Sequence, residues 1–287
     1  MLAIYKKELR AYFTSIIGYV FIAFFLMIIG IFFYLQNLFS KTPNFEFTLS
    51  GTTFIFVLLI PLITMRLMAE ENRQKTDQLL FTSPLTASSI VLGKFLAVFT
   101  VYGSVMAVTS FYPMIMKQYG YVPMASAYAS ILGFLILGGT YLAIGLFISS
   151  LTESQVVAAV IAFFVFLITL LMDMIAPILP VDHKISFIFC LAAVLLISLV
   201  LYLMMHNLFV SLCIGLIGEV VLVTLFIVNK VIFDGFIGKI MKWLSLISRY
   251  NSFQYGVLDL ADIIYYFSII LLFLFLTVQV IKKKRWS

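Results

Sequence analysis

The chain has 287 residues, 64% of them hydrophobic and 10% charged, with 30 Phe, 15 Tyr and a formal net charge of +6. A mean hydropathy of +1.18 excludes an ordinary soluble domain, and no segment outside the apolar runs is long enough to bury a core of its own. The basic residues gather at the two chain ends and in one internal polar stretch, which points to membrane topology rather than to a nucleic-acid partner.

Residues 1–13 read as an amphipathic helix. Leu2, Tyr5, Leu9 and Tyr12 recur at helical spacing and Lys6, Lys7 and Arg10 share the opposite side, a pattern that suits a helix lying in the cytoplasmic membrane interface. The plainer alternative is a basic flank for the first span. That span begins only after Lys6, Lys7, Glu8 and Arg10 and lacks a small-x-small cleavage site, so it is expected to stay as a spanning helix rather than be removed as a signal peptide.

A spanning helix needs roughly 20 apolar residues. The predicted spans are 15–36, 51–66, 89–114, 126–149, 155–178, 185–205, 207–229 and 262–281. The second is short and either ends at Arg66 or continues into the polar stretch. Eight spans place both chain ends on one side. Lys6, Lys7 and Arg10 at one end, with Lys282, Lys283, Lys284 and Arg285 at the other, mark that side as cytoplasmic. A six-span version treats 185–229 as a re-entrant pair. Cys190 and Cys213 both fall in apolar runs and read as small buried hydrophobes.

The polar stretch at 66–88 falls on the same side. It is the densest patch of mixed charge in the chain, carrying Arg66, Glu70, Glu71, Arg73, Lys75 and Asp77. Asn72–Leu80 is predicted as a short helix with Leu79 and Leu80 as its apolar face, stopped by Ser83-Pro84. Thr86 or Ser88 then caps the next span. Such an island between spans is a candidate docking site for a cytosolic partner and a lever on the two spans it joins.

On the external side, 230–261 reads as an amphipathic segment. Phe236, Ile240, Leu244 and Ile247 recur at i, i+4, i+8 and i+11, with Lys239, Lys242 and Arg249 elsewhere around the helix. Asp173 and Asp182 flank Pro177 and Pro180 and read as a solvated helix end and turn. Asp259 and Asp262 stand at the start of the last span, where acids complement the helix dipole.

The chain has no phosphate-cradling loop. Gly93-Lys94 is followed by Phe95 and position 88 is Ser, so G-x-x-x-x-G-K-[ST] fails at both ends. No zinc spacing or nucleophile-elbow motif occurs, and His183 and His206 are expected on opposite membrane faces. Glu219, central in the 207–229 run, costs roughly 2.5–3.5 kcal/mol at the bilayer centre. It is either a substrate or proton contact or a carboxyl hydrogen-bonded to a neighbouring helix.

Glu71-x-Arg73 … Thr76-x-x-Leu79-Leu80-x-Thr82-x-Pro84, followed by Gly93-Lys94, resembles the segment after the second span of ABC-2-type permeases, whose usual form is E-x-R-x-x-G-T-x-E-x-L-L-x-T-P-x-S with G-K beyond. Lys75 stands where glycine is common, Asp77 and Gln78 stand near the acidic position, and Ser83 is extra. The basic start is similar to that family's interfacial helix, and Gly145–Glu153 to its short cytoplasmic link between the fourth and fifth spans. The closing stretch Asp259–Ser268 with Phe273–Thr277 is similar to the gliding-motility-type subgroup; permeases of nitrous oxide reductase maturation are more distant.

The resemblance implies an all-α polytopic transmembrane domain over 1–287, with 1–13 as the interfacial helix, 66–88 as the cytoplasmic coupling segment and 230–261 outside. It implies a non-catalytic permease half in a bacterial plasma membrane, paired with a second permease chain. A cytosolic ATPase binds ATP and Mg in trans and docks on Glu70, Glu71, Arg73, Lys75, Thr76, Asp77, Gln78, Leu79 and Leu80. Subgroup members often occur with an auxiliary protein bearing an external domain. Competing readings are a secondary carrier, for which only Glu219 qualifies, and a subunit that transmits force to an external partner. An intramembrane enzyme lacks candidate catalytic pairs.

Overall fold

The computed structural model describes residues 1–75, 86–179, 182–205, 208–228 and 230–286. Among them every regular element is a helix. The chain forms two compact units, Met1–Leu170 with Leu246–Ser287, and Leu171–Ser245.

The larger unit opens with α1 (Leu2–Thr14). Ser15 then leaves helical dihedrals and its Oγ accepts the Gly18 N–H at 3.4 Å, which caps α2 (Ile16–Phe33). A π-helical turn over Tyr34–Phe39 ends that crossing. The predicted second span, 51–66, is instead a crossing in three pieces: α3 (Glu46–Gly51), α4 (Ile55–Thr64) and α5 (Arg66–Gln74). Pro61 lies inside α4, and ten residues of helix reach only about 15 Å. The three pieces together still run the length of the bundle, because Glu46 meets Ser126 at one end of α8 and Met68 meets Ser149 at the other.

Helix α6 (Ala87–Thr109) is capped by Thr86, whose Oγ1 accepts the Ser89 N–H at 3.3 Å, as expected from the sequence. A short α7 (Phe111–Lys117) follows. The central helix is α8 (Met124–Leu151), about 42 Å long at 1.5 Å per residue. Gly145 belongs to this helix and not to a turn; a Cβ there would stand 2.5 Å from Thr64 Oγ1, so the close crossing of α4 over α8 depends on its absence. The link to α9 (Gln155–Ile175) is only Thr152–Ser154. The unit closes with α13 (Leu246–Gln254) and α14 (Leu260–Trp286).

Its core is aromatic. Phe56 stacks on Tyr141 at 5.3 Å, and Phe25 and Phe134 pack beside Phe56. The buried phenols find backbone acceptors: Tyr102 donates to Phe134 O at 2.7 Å and Tyr266 to Leu246 O at 2.6 Å. Burial of these rings supplies much of the packing, and each hydroxyl avoids the cost of an unpaired polar group.

The smaller unit is a helical pair, α10 (His183–Met205) and α11 (Leu208–Val228), followed by a 3-10 turn at Lys230–Phe233 and α12 (Phe236–Leu244). Phe187 stacks on Phe226 at 4.3 Å. The pair approaches closely at Gly218, where a Cβ would lie 2.9 Å from Val194 Cγ1.

The amphipathic segment read across 236–247 is not one helix. Ser245 leaves helical dihedrals (φ −70°, ψ 116°), Leu244 is exposed, and the buried residues are Ile237, Leu246, Tyr250 and Phe253. Its two halves belong to different units, so the i, i+4, i+8, i+11 stripe never forms a single face.

Among the described residues, five helices are long and apolar enough to cross a membrane: Ile16–Phe39, Ala87–Lys117, Met124–Leu151, Gln155–Ile175 and Leu260–Arg285. In the larger unit, α1, α5, the start of α6 and the ends of α8 and α14 share one end, called here the island end.

Candidate functional site

The island end is organised by one buried cation. Lys94, on the first turns of α6, is 2% exposed. Its ammonium has three donors, and three oxygens lie within reach: Leu67 O at 2.7 Å, Glu8 Oε1 at 3.0 Å and Glu71 Oε2 at 3.0 Å. Lys7 Nζ stands 3.7 Å from the other Glu71 oxygen. Two cations therefore face two carboxylates, and the cluster is close to neutral. A buried lysine without such partners is very costly; with them it ties α1 and α5 to α6.

The preceding residue makes this geometry accessible. A Cβ on Gly93 would meet Ile4 Cβ and Cγ2 at 3.1 Å, so glycine lets α1 lie directly on α6 and brings Glu8 to Lys94. Helix α1 turns most of the predicted face inward, since Leu9 packs on the core and the Tyr5 hydroxyl bonds Thr100 Oγ1 at 3.1 Å. Leu2 is 71% exposed, while Ile4 and Tyr12 are buried, and Glu8 completes an i, i+4, i+8 stripe with them. Tyr12 also donates to Ile63 O at 3.1 Å. Lys6, Lys7 and Arg10 are on the exposed side, as expected.

Helix α5 begins without a capping residue of its own. Its early N–H groups, which have no intrahelical acceptor, go to another helix. Ser149 Oγ, near the end of α8, accepts from Met68 N and Ala69 N, both at 3.1 Å, and donates to Met65 O at 3.0 Å. Asn72 Nδ2 donates to Thr152 O at 3.1 Å. Lys284 Nζ, near the end of α14, donates to Ser150 O at 2.9 Å, where a cation also complements the C-terminal dipole of α8.

The described part of the island forms a helix over Arg66–Gln74, while the predicted helix Asn72–Leu80 lies for the most part outside the described residues. Helix α5 stops at Lys75, whose φ of 54° is left-handed. Glycine adopts this conformation most readily and commonly follows the end of a helix. Glu70 pairs with Arg66 at 2.8 Å, and this bond holds the guanidinium pKa above its ordinary value. Glu71 and Asn72 turn inward to Lys94 and α8, whereas Arg73, Gln74 and Lys75 are exposed. Thr76, Asp77, Gln78, Leu79 and Leu80 lie outside the described residues.

Three participants were not singled out from the sequence: Glu8, Ser149 and Lys94 as a buried charge. The only local signal was the spacing Ile4–Glu8–Tyr12. Glu219 is half-buried on α11 beside the Gly218 crossing. His183 lies 3.5 Å from both Asp182 and Asp234; His206 lies outside the described residues. Asp259 accepts the Ala261 N–H at 2.9 Å as a helix-start acid should, but Asp262 does more, being buried and paired with Arg249 at 3.0 Å.

The site has the features of a mechanical joint: a short charged helix bonded through side chains to three others, α1, α6 and α8. No curated protein matches the chain significantly. The family described as ABC-2 family transporter protein matches residues 2–278, nearly the full length, and the chain accordingly belongs to that family: it is a multi-pass membrane protein and a permease subunit of an ABC transporter.

Proposed function

We propose that this permease subunit moves its substrate outward, using ATP hydrolysed with Mg by a separate cytosolic ATPase that grips the segment 66–88. Permeases of this family generally work with such an ATPase and are themselves generally non-catalytic. The observation that carries the reading is the fixing of α5 to α1, α6 and α8 through Glu71, Lys94 and Ser149. A push on the exposed side of α5 is passed to those helices rather than lost in a loose loop. The basic residues at the island end make it the cytoplasmic side, with both chain ends there. Eight spans or six with a re-entrant pair both satisfy this, since each returns the chain to the far end before α13. A second permease copy completes the pathway, and the closing stretch Asp259–Ser268 favours the gliding-motility-type branch, with its external auxiliary protein.

The test is co-purification of the tagged chain from its host in mild detergent, assayed for ATP hydrolysis. Arg73→Glu and Leu79→Asp are expected to lose the ATPase while the permease still elutes as a folded species. Glu71 is unsuitable for this purpose because its replacement breaks the Lys94 cluster. A chain that purifies alone, with no ATPase activity before substitution, refutes the reading.

A further inference from the structure

At the far end of the larger unit, away from the island, an open cleft of about 640 Å³ lies between the π-helical turn, α3 and α13. Its size falls in the usual range of small-molecule sites, roughly 300–1,000 Å³. None of the residues lining it is charged. What lines it is a particular set of hydrogen-bonding groups.

The hydroxyls have already spent their protons on backbone carbonyls. Ser40 donates to Leu35 O at 2.8 Å, Thr53 to Ser50 O at 2.9 Å, and Ser50 to Glu46 O at 3.2 Å. Their remaining capacity is as acceptors. Gln36 adds another: its Oε1 is buried and has no hydrogen-bond partner in the protein, a state that native structures rarely leave without a reason. It sits on the π-helical turn, a distortion often found at functional positions. Asn251 and Gln254 line the opposite wall and bring amide donors as well as acceptors. Phe47, half-exposed, provides an apolar ring at the rim.

We propose that this cleft binds a neutral polyhydroxylated group, that is, a sugar, carried either on a glycolipid headgroup or as a soluble oligosaccharide. Sugar hydroxyls both donate and accept, which matches spent hydroxyls facing amides. The C–H face of a pyranose suits the Phe47 ring. A cationic amine also donates, but it would surrender hydration to a cleft without a carboxylate on its wall. Glu46, a buried acid on α3, accepts from Ser126 Oγ at 3.2 Å through Oε1 and does not line the cleft. Binding here is independent of ATP-driven export and is measured without any ATPase.

The experiment uses the full chain in phosphatidylcholine nanodiscs. One arm titrates maltotriose and reads saturation transfer to the sugar protons. The other incorporates monoglucosyl-diacylglycerol and reads retained lipid by native mass spectrometry. Binding in the first arm assigns a soluble sugar, and binding in the second alone assigns a headgroup; either supports the site if Gln36→Leu and Asn251→Leu each weaken it at least tenfold. Asn251 is exposed, so its variant keeps the test valid if Gln36→Leu fails to fold. Absence of binding in both arms, binding unchanged in the variants, or saturable spermidine binding in their place overturns the proposal.

Discussion

The Lys94 ammonium lies 3.0 Å from the Glu71 carboxylate, joining a residue of the polar island to one in the first turns of the following apolar helix. Breaking a buried pair by removing one partner costs about 3–5 kcal/mol, because the other charge stays behind. Lys94→Met is therefore expected to lower the unfolding temperature in detergent far more than Lys7→Met, since Lys7 is 67% exposed. Adding Glu8→Gln and Glu71→Gln to Lys94→Met should recover part of the loss. Thermal unfolding followed by size-exclusion chromatography checks this; equal effects of Lys94→Met and Lys7→Met would refute the buried-joint account.

Ser149→Ala removes the acceptor of two backbone N–H groups and the donor to Met65 O. Unpaired buried groups cost about 1–3 kcal/mol. The expected outcome is a permease that still co-purifies with its ATPase but transports less per ATP hydrolysed, because the joint between α5 and α8 is loosened. Unchanged coupling would assign Ser149 a packing role only.

Lys75 holds a left-handed conformation that costs a side-chain-bearing residue about 1–2 kcal/mol. Lys75→Gly is expected to be tolerated and to stabilise the protein by up to about 1 kcal/mol. Lys75→Val should destabilise it, since a β-branched residue is poorly suited to positive φ. Unfolding midpoints of the two variants, which should move in opposite directions, provide the comparison.

Glu219→Gln keeps the shape of the side chain and removes an ionisable group from α11. Its half-buried position beside Gly218 predicts unchanged folding, judged by monodisperse elution. Loss of export with the ATPase still bound would show that the carboxylate itself is needed.

Much of the fold was legible because membrane helices are coded locally. Long apolar runs, the Thr86 cap and the start of the last helix lay within a few residues of where periodicity and capping put them. The second span was legible as apolar but not as broken, because the closeness of Gly145 to Thr64 belongs to a contact between helices. The stripe from Phe236 to Ile247 failed for a related reason: its spacing presumes an unbroken helix, and the break at Ser245 assigns its ends to different units.

By itself the sequence determined that this is a helical membrane protein, that its densest patch of mixed charge is one island between apolar runs, and that the island resembles the ABC-2 pattern. Only the tertiary structure decided which island residues face out and which are ties. Glu8 and Lys94 are 86 positions apart, and Met68 and Ser149 are 81 apart. Propensity and periodicity act over a few residues, whereas the partner of a buried polar group is chosen by which helices pack together, here where Gly93 lets α1 lie against α6.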